Sequence, residues 1–145
     1  MRDELQAAID AGGLASKVSL LGRVPDDKVS AYYTACDIFC LSSIMKTEAF
    51  GIVQIEAMSL GRPVVATKIP GSGVSWVNED GVSGINVEPR DPEALANAFR
   101  EITSSQEAYR KYSDGALARF NSLFTSDVMI TRQLNCYKKI LEAEI

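Results

Sequence analysis

Short runs rich in β-branched and aromatic residues alternate with stretches of helical period from Val18 onward, the pattern of a parallel sheet covered by helices on both faces. "KVSLLG" reads as a strand. "PDDKVSAYYTAC" then reads as a helix opened by Pro25 and two acidic residues, which are favourable at a helix N-terminus. "DIFCLSS" is the next strand. A helix within "TEAFGIVQIEAMSLG" follows, then the strand "RPVVAT", a glycine-rich loop "PGSG", the turn "NEDGVSG" and the strand "GINVEP". Uninterrupted apolar strands of this kind are expected to be buried on both faces. From Asp91 the pattern is helical: "DPEALANAFREI" supplies an aspartate cap, proline at the first helical position and a glutamate behind it. Two more helices are expected, from about Gln106 to Phe120 and from about Ser126 to Glu144, the second capped by Thr125 or Ser126, both packed across the sheet. At the front, "RDELQAAIDA" is helical and stopped by Gly12 and Gly13, with no strand ahead of it. No repeat, low-complexity tract or linker is visible. The expectation is one Rossmann-like α/β domain over residues 1–145, incomplete at its N-terminus.

Composition narrows the function classes. A chain of 145 residues, 46% hydrophobic and 23% charged, is an ordinary globular sequence. At this length one core buries about 68% of the surface that the unfolded form exposes. The net charge is −4, and apart from Arg110–Lys111 and Lys138–Lys139 the basic residues are scattered, which argues against nucleic acid as a partner. No apolar run reaches the roughly 18 residues of a membrane span, and "MRDELQAAID" lacks the features of a signal peptide. A cytoplasmic location is expected, with peripheral association at the inner face of a membrane as a further option. Cys36, Cys40 and Cys136 are an odd set with no second ligand pair, so buried thiols are expected rather than a disulfide framework or zinc site. The chain has no histidine, which excludes histidine-based triads and removes the commonest zinc ligand.

The chemistry concentrates in "TEAFGIVQIEAMSLGRPVVAT". Projected at about 100° per residue, Gly51 to Leu60 places apolar side chains around nearly the whole circumference, so a buried helix is expected. Glu56 lies on one ridge of it, between Ile52 and Leu60 at i−4 and i+4, with no lysine or arginine within a turn. A buried, unpaired carboxylate is costly. Glu56 is therefore either solvated at a helix edge or faced by hydrogen-bond donors from elsewhere, for which a ligand would serve. Glu48, in the preceding loop, is either a favourable charge near the helix start or part of a site. The first amides of this helix, at Phe50, Gly51, Ile52 and Val53, have no partner within it and suit a phosphate. Gly51 allows close approach to the backbone, and ligands of open α/β sheets lie beyond the carboxyl ends of the strands.

From Val18 to about Ile102 the chain resembles the C-terminal, donor-binding domain of retaining GT-B fold glycosyltransferases, the group 1 type (glycosyltransferase family 4), which includes sucrose synthases and many lipopolysaccharide mannosyltransferases. Its mark is the E-x7-E arrangement, here Glu48 and Glu56, embedded with "EAFG", "EAM" and "GRPVVA". "LGRVPDDKVSAYYTACDIFCLSS" before it and "EDGVSGINVEPRDPEALANAF" after it continue the likeness. "EAFGIVQIEAM" with "GSGVSWVN" looks most like bacterial mannosyl- or rhamnosyl-transferases of surface-polysaccharide assembly.

The resemblance implies that Glu56 accepts hydrogen bonds from the ribose hydroxyls of a sugar nucleotide and that Glu48 contacts the transferred hexose as the catalytic-site glutamate. It implies that the amides of Phe50, Gly51 and Ile52 hold the diphosphate. Gly22, Arg23 and Val24 would frame the base, and Gly71, Ser72 and Gly73 would wall the sugar pocket; each is otherwise a plain turn. Lys46 would neutralise phosphate charge, or is an exposed loop lysine. Ser75 stands where most relatives carry a glutamate, and Trp76 reads as a packing residue rather than an aromatic floor for sugar.

No Asp-x-Asp pair is present, and the resemblance implies metal-independent transfer with retention, needing no cofactor beyond the nucleoside diphosphate sugar. The acceptor would be a glycan or lipid-linked saccharide. Relatives carry an acceptor-binding domain and two further strands ahead of the point matching Met1, the first followed by an arginine and a lysine that hold the diphosphate. The chain is thus expected to be a fragment, a split gene product or a cloned piece, inactive alone. Open edges on "VSLL" and "IFCLSS" would lead it to dimerise, swap strands or pair those two segments directly. The alternative is a non-catalytic nucleotide-sugar-binding or scaffold module that works with a partner chain.

Overall fold

The structure, a computed structural model, describes residues 2–143, with Ala143 described through its backbone alone. The backbone forms two compact units, one up to Tyr32 and one from Tyr33 onward. The first contains α1 (Arg2–Ala11) and most of α2 (Asp26–Ala35). α1 ends as expected: Gly12 donates to the Ala8 carbonyl at 3.0 Å, and Gly13 takes the left-handed conformation, φ 62°, that ends many helices. The segment read as a strand, Val18 to Leu21, is not one. It belongs to no ladder among the described residues; Leu20 accepts instead from the Arg2 guanidinium at 3.2 Å. An apolar run becomes a strand only where a neighbour supplies its hydrogen bonds.

The second unit holds three parallel strands, β1 (Phe39–Leu41), β2 (Val64–Thr67) and β3 (Gly84–Val87), in the order β1-β2-β3. Phe39 is in register with Val64 and Val64 with Gly84, so β1 is an edge of this sheet. α3 (Ile52–Ser59) connects β1 to β2, α4 (Val74–Val77) connects β2 to β3, and α5 (Pro92–Ile102), α6 (Gln106–Leu123) and α7 (Ser126–Ala143) follow. β2 is buried throughout, and its alternation divides the core. Val64 and Ala66 pack with Met58, Val74, Val77 and Ala116 on one face; Val65 packs with Val87, Ala98, Ile102 and Tyr112 on the other. Helices thus cover both faces, as the apolar strands required.

The caps follow the sequence. Asp91 accepts from the Ala94 amide at 2.8 Å, Ser105 from Ala108 at 3.0 Å, and Thr125 from Val128 at 3.4 Å. α6 packs on α3, α5 and β3, whereas α7 meets the rest of the unit through α6 alone among the larger contacts. Contrary to the expected packing across the sheet, α7 leaves Ile130, Leu134, Tyr137 and Leu141 about half exposed. Its expected end at Glu144 lies outside the described residues. α4 was not foreseen, being too short for a period to show. Arg119 holds its C-terminal end by donating to the carbonyls of Val77 (2.8 Å) and Trp76, and pairs with Glu79. Among the described residues no helix is long and apolar enough to cross a membrane.

The cysteines depart from expectation in part. Cys36 and Cys40 are half-buried thiols, both pushed up in pKa mainly by burial, but Cys136 is exposed on α7.

Candidate functional site at the start of α3

At the carboxyl end of β1 the chain enters a loop, Ser42 to Phe50, that leads into α3. Its path is fixed from beneath. Thr67, closing β2, donates its hydroxyl to the Ser43 carbonyl, and Ser72 donates to the carbonyls of Glu48 at 2.5 Å and Ala49 at 3.3 Å. The Gly73 amide donates to the Ala49 carbonyl at 2.7 Å. The loop Gly71–Ser72–Gly73 is therefore laced to Glu48–Ala49–Phe50. Gly73 is required there: a Cβ would come 2.8 Å from the Phe50 ring. Lys46 reaches the same place, its Nζ 3.2 Å from where a Cβ on Gly71 would stand.

Gly51 makes the turn into the helix with φ 75° and ψ 54°, a left-handed conformation suited to glycine. Space excludes a side chain as well, since a Cβ would lie 2.5 Å from Gln54 Nε2 and 2.9 Å from Leu41 Cδ2. Gln54 is fully buried under this turn, and its amide donates at 3.4 Å to the carbonyls of Phe50, Gly51 and Val74. The helix has no side-chain cap, and the amides of Phe50, Gly51, Ile52 and Val53 meet no acceptor among the described residues. Four amides and a lysine beside a glycine turn can take a dianion such as a diphosphate. Glu48 is half-buried and lines an open depression with Ser42, Ser43, Met45 and Thr47.

α3 is not buried all round. Ile52 and Leu60 are 63% and 41% exposed, and Glu56 between them is exposed too, while Gln54, Ala57 and Met58 face the core. The apolar circumference had concealed which side meets solvent. Glu56 has a protein donor: the Tyr33 hydroxyl donates to its Oε2 at 2.8 Å. Burial and this carboxylate push the Tyr33 hydroxyl up to about 12. Trp76, read as a packing residue, is 53% exposed yet still packs, edge-on to Phe124 at 5.6 Å and 5.9 Å from Phe50. Ser75 follows Val74 in the short α4.

Lys46, Glu48, Phe50, Gly51, Gly71, Ser72 and Gly73 are thus brought together, with Ile52, Val53 and Glu56 on the first two turns of the helix. Gly22, Arg23 and Val24 belong to the other unit, where Gly22 has φ 69° and the turn lines a depression with Arg2, Leu5 and Leu20. Two residues of the site escaped the sequence. Gln54 read as one polar residue in an apolar helix, and only its spacing from Gly51 hinted at a prop. Tyr33 carried no signal, standing 23 residues from its partner.

Residues 1–119 match the family model described as "Glycosyl transferases group 1". The chain is 33% identical over 129 residues to O-antigen chain mannosyltransferase C of Escherichia coli, covering 89% of this chain and 34% of that protein. It is 32% identical over 126 residues to D-rhamnosyltransferase WbpZ of Pseudomonas aeruginosa, covering 87% of this chain and 32% of that one. It therefore spans about a third of the length of these curated relatives. Among solved structures, HepE of Anabaena in complex with UDP superposes with a TM-score of 0.81 at 30% identity, over 94% of this chain and 36% of that one. Sucrose-phosphate synthase from Thermosynechococcus elongatus gives 0.80 at 25% identity, over 98% and 35%. These neighbours are GT-B glycosyltransferases, and the parallel sheet with its helices matches their Rossmann-like domain. The chain belongs to the glycosyl transferase group 1 family.

Proposed function

We propose that this chain binds the nucleoside diphosphate sugar of a retaining hexosyltransferase. The observation that carries the reading is the lacing of Gly71–Ser72–Gly73 to the Glu48–Gly51 turn, which brings Lys46 and Glu48 close to the start of α3, where four amides meet no acceptor among the described residues. The amides of Phe50, Gly51, Ile52 and Val53 take the diphosphate with Lys46, and Gly71 to Gly73 bound the sugar. Glu48 accepts from sugar hydroxyls, and Glu56 from those of the ribose. HepE, a relative in fold and sequence, was crystallised with UDP, and also with UDP-glucose, which supports a sugar nucleotide as ligand.

The hexose is mannose or rhamnose, supported by the names of the two curated relatives, and the acceptor is a glycan or lipid-linked saccharide. Transfer proceeds without a metal: amides and lysine stabilise the departing diphosphate, which takes the acceptor proton while configuration is retained. The chain binds donor but does not turn it over alone, acting with an acceptor-binding half in the cytoplasm or at the inner membrane face. Calorimetry of the full chain with GDP-mannose, UDP-glucose and their free diphosphates tests this. Binding that Glu48→Ala and Gly51→Val each weaken at least tenfold is expected; no binding by the folded chain overturns it.

A further inference from the structure

We propose that Tyr33 positions the carboxylate of Glu56, holding one oxygen so that the other is presented to ligand hydroxyls. This rests on the reading of Glu56 as the ribose acceptor. The Tyr33 hydroxyl donates to Oε2 of Glu56 at 2.8 Å. Glu56 is exposed on α3, and a glutamate there otherwise samples many rotamers, whose loss on binding a ligand opposes affinity. A hydrogen bond to an ionised acceptor restricts that freedom in advance.

Tyr33 is itself fixed. Its ring meets Phe39 edge-on, with centroids 5.5 Å apart at 63°, and its carbonyl accepts the Cys36 thiol at 3.4 Å. The carbonyl of the next residue, Thr34, accepts from Arg62 Nη2 at 2.7 Å. Arg62 lies just beyond α3, and its Nη1 donates to the Tyr109 hydroxyl at 3.4 Å, which in turn donates to the Asp37 carbonyl at 3.1 Å. One guanidinium thus ties the last turn of α2 to the turn leaving α3, fixing both ends of the Tyr33–Glu56 bond. With its hydroxyl pushed up to about 12, Tyr33 remains a donor across the neutral range. Nothing in the phosphate or sugar reading uses this residue.

The test measures affinity of the full chain for UDP and GDP against their 2′-deoxy counterparts, with thermal unfolding to establish that each variant is folded. The wild-type chain is expected to prefer the ribonucleotides, and Glu56→Gln to lose that preference. Tyr33→Phe, which keeps the ring and its Phe39 contact, is expected to weaken ribonucleotide binding roughly three- to tenfold and 2′-deoxynucleotide binding, which retains only the 3′-hydroxyl contact, clearly less. Replacing Tyr33 by 3-fluorotyrosine, which keeps both ring and donor, is expected to preserve the preference. If Glu56→Gln loses the preference but Tyr33→Phe keeps it, or binds ribonucleotides more tightly, the positioning role alone is overturned. Loss of preference in the fluorotyrosine protein has the same effect. If Glu56→Gln keeps the full preference, or the folded wild-type chain binds neither nucleotide, the reading of Glu56 falls and this role with it.

Discussion

The Ser72 hydroxyl donates to the Glu48 carbonyl at 2.5 Å, joining the loop after β2 to the loop before α3 through one side chain. The same oxygen accepts from the Val74 amide at 3.2 Å and so also starts α4. Ser72→Ala removes both bonds and the longer one to the Ala49 carbonyl. A loss of about 1 kcal/mol in urea unfolding is expected, together with weaker sugar-nucleotide binding by calorimetry. Unchanged affinity would separate this loop from the ligand.

Gly51 and Gly84 exclude a side chain for different reasons, and their alanine variants should fail differently. Gly84 has a Cβ position only 1.7 Å from the Val64 carbonyl oxygen, inside the sheet. Gly84→Ala is expected to disrupt β2–β3 pairing and leave little folded protein by circular dichroism. At Gly51 the obstacles are φ 75° and two side-chain ends, the Gln54 amide and Leu41 Cδ2, rather than backbone. Gly51→Ala is expected to fold, with a stability loss of about 1–2 kcal/mol in urea, and to lose nucleotide affinity.

Asn78 and Asn86 form a buried pair beneath the turn to β3. Asn78 donates to Asn86 Oδ1 at 3.0 Å and to the Val64 carbonyl at 3.2 Å, while Asn86 donates to the Asn78 carbonyl at 2.7 Å and Ser83 donates to Asn78 Oδ1 at 2.8 Å. Asn78→Ala removes the donor to Asn86 Oδ1 and the Val64 carbonyl and the acceptor of the Ser83 hydroxyl, all of them buried. A loss of about 2–3 kcal/mol is expected from chemical denaturation, and a loss below 0.5 kcal/mol would show that the network is replaceable.

Two phenols predict the alkaline limit. Tyr33 and Tyr112 are pushed up to about 12 from the ordinary 10.0, first by burial and then by hydrogen bonds to Glu56 and Glu101. The folded state therefore keeps these protons when the unfolded chain has lost them. Their contribution to stability is complete below pH 10 and falls as pH rises toward 12. Urea midpoints measured from pH 8 to 12 should decline over that upper window, and Tyr33→Phe combined with Tyr112→Phe should flatten the decline.

Much of the fold was legible because it depends on local chemistry. The cap at Asp91, the glycine stop after α1 and the buried alternation of β2 each follow from residues a few positions apart. The glycine turn into α3 was legible for the same reason, since a glycine ahead of uncapped amides is a property of consecutive residues.

What the sequence by itself determined is the set of apolar runs, their likeness to the group 1 glycosyltransferases and the two glutamates eight residues apart. The tertiary structure decided which runs find neighbours and which charges find donors. "VSLL" has a strand's composition but no ladder among the described residues, and α3 is apolar all round yet exposes the ridge bearing Glu56. That ridge meets Tyr33 from another helix, 23 residues earlier. Hydrophobicity and spacing specify what a segment can bury or bond. The identity of its partner depends on contacts between residues distant in the chain, and only the folded backbone brings those within reach.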